Sequence, residues 1–399
     1  MLSSIQPAPP DPILGLTDAF KADSTPEKVN LGVGVYKDEE LNTPVLRSVK
    51  EAEKRILASL SSKAYLPISG SQEYGRRVQE MVFGLGSGAP GSERVRTLHC
   101  PGGTGALRVG AEFLKEFAPT SRVWVSNPTW ANHKGIFSAA GMEVTPYAYY
   151  APQIRALDWD NLKASLAAIP RGDIVVMHVC CHNPTGVDPS PGQWDEIVEI
   201  AARKGWVPYL DFAYQGFGRD VETDRYPVTR FLEAGIEFLV ASSFSKNFGL
   251  YHDRTGALTV VAINERDAEA AFSHRKKTVR VIYSNPPAHG GLIVEQILGS
   301  PELREEWLDE LAGMRDRIRE MRKALVEGLS KAGVDQDFAF IEKQRGMFSF
   351  SGLTDSQVNY LRTEKGIYMV GGGRMNVAGI TWNNVGYLCT SIAEALKKA

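Results

Sequence analysis

The chain has 399 residues, and its 45 lysines and arginines against 47 aspartates and glutamates give a formal net charge of −2. This balance provides no basic surface for a nucleic acid, and no apolar run reaches the length of a membrane span. The length is sufficient for a large core and for two or three domains.

The cysteines and the N-terminus indicate the compartment. Cys100, Cys180, Cys181 and Cys389 include an adjacent pair in an apolar stretch, a pattern that favours buried free thiols over a disulfide framework or a metal site. The opening MLSSIQPAPPDP has neither the basic residues nor the apolar core of a signal peptide. We therefore expect a soluble cytoplasmic protein without a bound metal, and a proline-rich N-terminal arm over 1–11.

The first predicted elements frame a glycine-containing segment. A helix is predicted over 11–22 and another over 44–60. Between them, VNLGVGVY (29–36) alternates apolar residues with Gly32 and Gly34. Such glycines suit either a backbone that approaches a ligand or a tight packing contact, and the pattern alone leaves both open.

From residue 95 onward, apolar strands alternate with helices. The predicted strands are 95–100, 122–127, 143–150, 173–181, 207–212, 238–243 and 257–263. The predicted helices are 104–117, 133–140, 159–168, 191–204 and 228–234. Continuous apolar strands that alternate with helices are typical of an α/β fold with a mostly parallel central sheet flanked by helices.

The longest predicted helix covers 300–333. Ser300 is a suitable N-cap, Pro301 stands at the first helical position, and Gly333 follows the last turn. Its apolar residues recur at intervals of three and four, which predicts one buried stripe. The remaining residues, 337–399, return to short strands and terminal helices and predict a smaller α/β domain.

One lysine follows the predicted strand 238–243. The loop SSFSKNFGLYHDRTG places Lys246 among Ser243, Ser245 and Arg254. A lysine can form a Schiff base with an aldehyde cofactor, and hydroxyls and a guanidinium are donors suited to a phosphate. A lysine beside serines is usually a surface residue, but the preceding buried strand brings this one to the edge of a sheet.

Other strand ends carry polar or aromatic groups. The glycines of PGGTGALR (101–108) open directly into a helix, which favours an anion site or a simple glycine turn and matches neither dinucleotide nor P-loop patterns. Later strand ends supply Trp130 and His133, then Asn183, then Asp211 and Tyr214. Because active sites of such sheets gather at the carboxyl ends of the strands, we expect one site there.

Five motifs in order resemble one family. They are HNPTG, DFAYQGFG, SSFSKNFGLYHDR, YSNPPAHG and GRMNVAG, and the likeness extends from VNLGVGVYKDE at Val29 almost to the end. They resemble the aspartate aminotransferase family of pyridoxal-phosphate enzymes. This implies fold type I, a homodimer with shared active sites, a large cofactor domain (44–313) and a small domain from both chain ends (12–43 and 314–399).

The resemblance implies the cofactor site residue by residue. Lys246 corresponds to the Schiff-base lysine, Asp211 to the partner of the pyridine nitrogen, and Tyr214 to a donor toward the ring oxygen; these three are the expected catalytic residues. The remaining pyridoxal 5′-phosphate contacts expected are Gly103, Thr104, Trp130, Asn183, Ser243, Ser245, Arg254 and, from the partner subunit, Tyr65. His133 and His178 are expected near Asp211.

The resemblance also implies the substrate contacts. Arg374 corresponds to the clamp on the α-carboxylate, with Gly34, Trp130 and Asn183 beside it. Arg280 corresponds to the arginine from the partner chain that binds the distal carboxylate, a role for which a planar guanidinium is suited. The expected reaction is reversible ping-pong transfer of an amino group between L-aspartate and 2-oxoglutarate, with oxaloacetate and L-glutamate as products.

Three alternatives remain at this point. An aromatic or broad-specificity aminotransferase on the same scaffold is the nearest. A dinucleotide-dependent oxidoreductase shares the α/β rhythm, but the chain lacks G-x-G-x-x-G after the first strand. A binding protein without catalysis would not need Lys246.

Overall fold

The computed structural model describes residues 2–7 and 14–398. The chain divides into two compact units: unit 1 comprises Met1–Thr43 and Arg317–Ala399, and unit 2 comprises Pro44–Asp316. Of the N-terminal arm predicted over 1–11, positions 1 and 8–11 lie outside the described residues, and Leu2–Ser4 forms a 3₁₀ helix. Among the described residues, no helix is both long and apolar enough to cross a membrane.

The helices are α1 Leu14–Ala22, α2 Arg47–Ser59, α3 Gln72–Phe83, α4 Gly102–Phe117, α5 Ala131–Ala139, α6 Trp159–Ala168, α7 Pro191–Lys204, α8 Tyr226–Glu233, α9 Glu265–Ile282, α10 Ala288–Gly299, α11 Pro301–Lys331, α12 Phe340–Lys343, α13 Asp355–Lys365 and α14 Val385–Lys398. The strands are β1 Val29–Asn30, β2 Val95–Pro101, β3 Val123–Asn127, β4 Val144–Ala148, β5 Tyr150–Ala151, β6 Ala156–Leu157, β7 Ile174–His178, β8 Val207–Phe212, β9 Phe238–Ser243, β10 Thr255–Val261, β11 Phe348–Phe350, β12 Ile367–Tyr368 and β13 Arg374–Asn376. Further 3₁₀ helices are Leu85–Ser87, Thr223–Arg225, Gly371–Gly373 and Val377–Gly379.

A seven-stranded sheet organises unit 2. Its order is β2-β10-β9-β8-β7-β3-β4, and β10 runs antiparallel to both of its neighbours while the remaining pairs are parallel. The mostly parallel α/β sheet predicted from the sequence is therefore confirmed. Because β2, β3, β7, β8 and β9 run in the same direction, their carboxyl ends lie at one edge of the sheet.

The main core of unit 2 packs α4, α5 and α9 against this sheet. It includes Leu107 on α4, Phe137 on α5 and Val279 on α9, all fully buried, and they meet strand residues such as Leu258. This burial of apolar side chains between helices and sheet is the main force that fixes the strand ends in place.

Helix α11 begins and is buried as its sequence predicts. The hydroxyl of Ser300 accepts a hydrogen bond from the Leu303 N–H at 3.4 Å, and Gly333 adopts a left-handed backbone with φ of 74°. The predicted apolar stripe is buried along its whole length: Leu303, Trp307, Leu311, Met314, Ile318, Met321, Leu325 and Leu329.

Several boundaries differ from the prediction. The strand predicted over 143–150 is divided into β4 and β5, and the strand predicted over 173–181 ends at His178. Helices α3, α9 and α10 were not predicted. In unit 1, two small sheets pair β1 with β12 and β11 with β13.

Candidate active site

The register of the sheet brings the predicted polar residues together. His178 at the end of β7 pairs with Asp211 on β8, and Phe212 pairs with Ser242 on β9. Strand β9 ends at Ser243, and the chain then continues into Ser245 and Lys246. Residues far apart in sequence therefore meet because parallel neighbours end at the same edge.

Asp211 lies at the centre of a buried histidine cluster. His133 Nε2 is 2.9 Å from Asp211 Oδ2, and the His133 and His178 rings lie 4.9 Å apart. His133 Nδ1 is in turn 2.8 Å from the Thr129 hydroxyl. His133, His178 and Asp211 offer ligand atoms within 4.8 Å of one another, but both His133 nitrogens already have hydrogen-bond partners, so we describe the group as a hydrogen-bonded cluster.

Asp211 is held as an anion. Burial alone would raise the pKa of its carboxyl, but the hydrogen bond from His133 and the electrostatic attraction of the neighbouring basic side chains outweigh it, so the pKa lies below its ordinary value. Burial lowers the pKa of His178 strongly, with further lowering by His182 and His133, so its imidazole is neutral. An anionic Asp211 makes His133 Nε2 the donor in their hydrogen bond.

Lys246 lies near this carboxylate. Its Nζ is 4.9 Å from the centre of the Tyr214 ring. Burial lowers the pKa of Lys246; the Asp211 carboxylate raises it and Arg254 lowers it, and the net effect is a pKa below the ordinary value. A lowered pKa leaves a larger fraction of a lysine amine neutral near neutral pH, and the neutral amine is the form that acts as a nucleophile or base.

Ser243, Ser245 and Arg254 converge beside the start of α4. Ser243 Oγ is 3.3 Å from Ser245 Oγ, and Arg254 Nη1 donates to Ser245 Oγ at 3.4 Å and to the Tyr251 carbonyl at 3.1 Å. Neither partner of Arg254 is a carboxylate. Gly103 and Thr104 lie in the first turn of α4, whose N–H groups have no partner within the helix.

Two glycines leave space beside Arg254 and Ser243. A Cβ on Gly102 would lie 2.5 Å from Arg254 Nη2, and one on Gly103 would lie 3.1 Å from Ser243 Cβ. A guanidinium without a carboxylate, two hydroxyls and open helix N–H groups form a donor set that fits the phosphate of pyridoxal phosphate. The buried Asn183 Oδ1, which has no hydrogen-bond partner among the described residues, also fits a site completed by another molecule.

His182, which is not among the predicted site residues, stabilises the loop that carries Asn183. Its ring stacks on Tyr149 with centroids 3.9 Å apart, and its Nε2 is 2.8 Å from Ser126 Oγ. Asp188 accepts hydrogen bonds from the Cys181 and His182 N–H groups at 2.7 and 2.8 Å. Asp188 thereby holds the turn at Cys181, whose backbone is left-handed with φ of 54°, a conformation that the HNPTG motif alone does not specify.

The remaining predicted residues of unit 2 differ in exposure. Trp130 is half-buried and lies edge-on to His133, with centroids 5.3 Å apart. Tyr65 is 90% exposed, and Arg280 on α9 is exposed as well. Within this single chain, neither Tyr65 nor Arg280 joins the cluster around Lys246 by a hydrogen bond among the described residues.

Arg374 and Gly34 lie together in unit 1. The buried Arg374 donates from Nη2 to the Gly32 carbonyl at 2.8 Å, and its guanidinium lies 4.6 Å from the Phe348 ring centre. A Cβ on Gly34 would approach Phe348 Cζ to 3.1 Å. Asn376 fixes the same segment by donating to the Val33 and Val35 carbonyls at 2.6 and 2.7 Å.

Comparisons with known proteins identify the family and the fold. The sequence matches the family of class I and II aminotransferases over residues 26–392. It is 52% and 51% identical to the aspartate aminotransferases of Salmonella typhi and Escherichia coli (strain K12), over 99% of this chain and the full length of each. The structure is similar to the aromatic-amino-acid aminotransferase from Burkholderia pseudomallei covalently bound to pyridoxal phosphate, with a TM-score of 0.97, 47% identity and 99% coverage of both chains.

The chain therefore belongs to the class I and II aminotransferases. Its fold is the fold type I arrangement of pyridoxal-phosphate enzymes, as the sequence motifs predicted.

Proposed function

We propose that this aminotransferase is an aspartate aminotransferase, which exchanges the amino group between L-aspartate and 2-oxoglutarate by a ping-pong mechanism. The observation that supports it most is the lysine Nζ of lowered pKa, 4.9 Å from Tyr214 and beside the anionic Asp211. The two bacterial relatives that are about half identical carry the same name.

The cofactor is pyridoxal 5′-phosphate, and when bound it supplies an electron sink for the bonds at the amino acid Cα. We assign its phosphate to Gly103, Thr104, Ser243, Ser245 and Arg254. The anionic Asp211, held by His133, would pair with the pyridine nitrogen. Trp130 would contact the ring, and Tyr214 and Asn183 would donate hydrogen bonds to it.

Lys246 has two roles in this proposal. Its Nζ would hold the cofactor by a covalent link when no substrate is bound. As a free amine, Nζ would act as the base toward the proton on the substrate Cα and then as the acid that gives the proton back. Burial of Lys246 supports this role, because a lowered pKa leaves more of the amine neutral at physiological pH.

Two arginines select a dicarboxylic substrate. Arg374 binds the α-carboxylate beside Gly34, Trp130 and Asn183, and Arg280 of the partner subunit binds the distal carboxylate. Guanidinium groups suit this task because their planar fork matches a carboxylate and they remain charged.

We further propose a cytoplasmic homodimer with shared sites. Tyr65 reaches the phosphate in the partner's site. The exposure of Tyr65 and of Val281 next to Arg280, 90% and 87%, supports this arrangement, because it leaves both side chains accessible to a partner subunit.

An aromatic or broad-specificity aminotransferase is the second candidate. The likeness to the Burkholderia aromatic-amino-acid aminotransferase favours it. The two candidates differ in the relative use of aspartate and phenylalanine rather than in the chemistry at Lys246.

The visible absorption of the cofactor-loaded enzyme tests the proposal. Aspartate should remove the band of the lysine-linked cofactor, and 2-oxoglutarate should restore it. Phenylalanine at the same concentration should act much more slowly. Absence of any change with aspartate would reject the proposal, and a faster response to phenylalanine would favour the aromatic candidate.

A further inference from the structure

A chain of three hydrogen bonds leads from Arg280 to the loop that carries Tyr65. Arg280 Nη1 donates to Ser284 Oγ at 2.5 Å, and Ser284 Oγ donates to Asn285 Oδ1 at 3.1 Å. Asn285 Nδ2 then donates to the Leu66 carbonyl at 2.7 Å. Leu66 is the next residue after Tyr65.

The donors and acceptors of these side chains fix the direction of all three hydrogen bonds. A guanidinium has only donors, so the Ser284 hydroxyl must accept from it and use its own hydrogen on Asn285 Oδ1. The Asn285 side chain must therefore accept a hydrogen bond from Ser284 and donate one to the Leu66 carbonyl. An amide provides both, whereas a carboxylate would place an acceptor against the Leu66 carbonyl.

The turn that carries Ser284 and Asn285 is anchored to the sheet. Helix α9 ends at Ile282, and Ser284 then adopts a left-handed backbone with φ of 67°, stabilised by its N–H bond to the Val279 carbonyl at 2.9 Å. The Tyr283 hydroxyl donates to the His99 carbonyl on β2 at 3.2 Å. Asn285 thus projects from a fixed turn.

The Tyr65 loop has little other support. Over residues 61–66, the hydrogen bonds among the described residues are Ala64 N–H to Ser62 Oγ at 3.1 Å, which is internal, and the Asn285 bond to Leu66. Asn285 is therefore the one side chain seen to tie this segment to the rest of unit 2 by a hydrogen bond.

We propose that Asn285 is a positioning residue that sets Tyr65 and Arg280 together, so that cofactor retention and preference for dicarboxylates depend on one side chain. This inference rests on the proposed function, in which both residues serve the partner's site. Asn285 itself touches neither cofactor nor substrate in this account.

The test compares Asn285→Ala and Asn285→Asp with two variants that each affect only one of the two residues. Ser284→Ala breaks the link to Arg280, and Tyr65→Phe changes the phosphate contact. Two quantities are measured: the cofactor dissociation constant, by spectroscopic titration of the cofactor-free enzyme, and the ratio of kcat/KM for aspartate over phenylalanine. Both Asn285 variants should weaken cofactor binding and lower the ratio together, each by about threefold to tenfold, as expected for one lost hydrogen bond. Asn285→Asp keeps the side-chain size, so its result decides the matter should Asn285→Ala fail to fold.

Ser284→Ala, Tyr65→Phe and a control variant distinguish the possible outcomes. Ser284→Ala should lower the ratio alone, and Tyr65→Phe should weaken cofactor binding alone. Asn161→Ala, on the exposed face of α6, should change neither quantity. If Arg280→Ala lowers the ratio but the Asn285 variants leave both quantities within about twofold of wild type, the inference is overturned and the proposed function stands. If Arg280→Ala leaves the ratio unchanged, the role proposed for Arg280 fails first.

Discussion

Asp211 and Lys246 meet opposite electrostatic requirements in the same part of unit 2. Asp211 must stay charged although it is buried, and the His133 hydrogen bond lowers its pKa enough to achieve this. Lys246 must lose its charge easily, and burial lowers its pKa. At the scale of single residues, the partners of a group decide its protonation state as much as its depth does.

His99 should make the protein acid-sensitive. Burial lowers its pKa to about 4, against 6.5 for an exposed histidine, so between these pH values the unfolded chain binds more protons than the folded one. Stability is therefore lost as the pH falls from 6.5 toward 4. The difference, 6.5 − 4, corresponds to about 3 kcal/mol. Urea unfolding as a function of pH should show a shallower loss for His99→Gln than for wild type.

Exposed His252 provides the matched control for this experiment. Its side chain is 92% exposed and lies 3.6 Å from Asp253, an exposed pairing that solvent screens, so His252→Gln should change the pH dependence much less than His99→Gln. An equal slope in His99→Gln and wild type would mean that His99 is protonated in the folded protein.

Arg280→Asp should turn the enzyme away from dicarboxylates. The variant replaces an attractive charge with a repulsive one, so the ratio of kcat/KM for aspartate over phenylalanine should fall by about a hundredfold or more. Lys277→Asp, on the same helix, makes the same change in net charge and should leave the ratio near wild type. Equal ratios in both variants would show that Arg280 acts only through general charge.

Two buried arginines on different helices differ in their hydrogen bonding. Arg322 on α11 is 2% exposed and donates to the Gly346 and Phe348 carbonyls, each at 2.7 Å, and to Ser349. Arg275 on α9 is fully buried, and none of its three side-chain nitrogens has a hydrogen-bond partner among the described residues. It lies 4.7 Å from the Phe113 ring, and burial lowers its pKa to about 9.

The same substitution should therefore have opposite effects at these two positions. Arg275→Met removes unpaired donors and should raise the free energy of unfolding by about 1 kcal/mol, since apolar replacements of buried charges are often stabilising. Arg322→Met leaves the Ile341, Gly346 and Phe348 carbonyls without this donor and should lower it by about 3 kcal/mol. Urea unfolding of both variants measures the difference. A larger loss for Arg275→Met than for Arg322→Met would contradict the hydrogen-bond account.

The sequence predicted elements best where apolar runs were continuous. Strands β8 and β9 were predicted with their observed bounds, because their side chains are buried on both faces. Helix α10 was missed because Gly290 and Gly291 weaken its helical pattern. Tertiary packing requires both glycines: a Cβ would lie 1.8 Å from Thr255 Oγ1 at Gly290 and 2.4 Å from His99 Cε1 at Gly291.

The sequence also predicted the candidate site only in part. The motif order predicted that Asp211, Asn183 and Lys246 follow strands of one sheet. The hydrogen bond between His133 and Asp211, 78 positions apart, depends on the register of the strands, which the pattern of the sequence does not specify. The link from Asn285 to Leu66 likewise depends on how a turn and a distant loop fold together.

At the scale of the whole molecule, shared sites predict complementation between inactive chains. Arg280→Ala and Lys246→Ala homodimers should both be defective toward aspartate. A mixed dimer contains one site with both defects and one with neither, so activity should reappear at up to about half the wild-type value per heterodimer. The chains are unfolded and refolded together, and differently tagged chains confirm exchange. If exchange occurs without recovery of activity, Arg280 serves its own chain.

The most direct test of amino-group transfer at Lys246 follows the nitrogen itself. Aspartate labelled with heavy nitrogen is mixed with unlabelled 2-oxoglutarate and the enzyme, and glutamate is analysed by mass spectrometry. The wild type should form labelled glutamate rapidly, and Lys246→Ala should form it at least about a thousandfold more slowly, because both the covalent link and the proton carrier are lost. The account would be contradicted by a wild type that transfers no label, or by a Lys246→Ala rate within about tenfold of wild type.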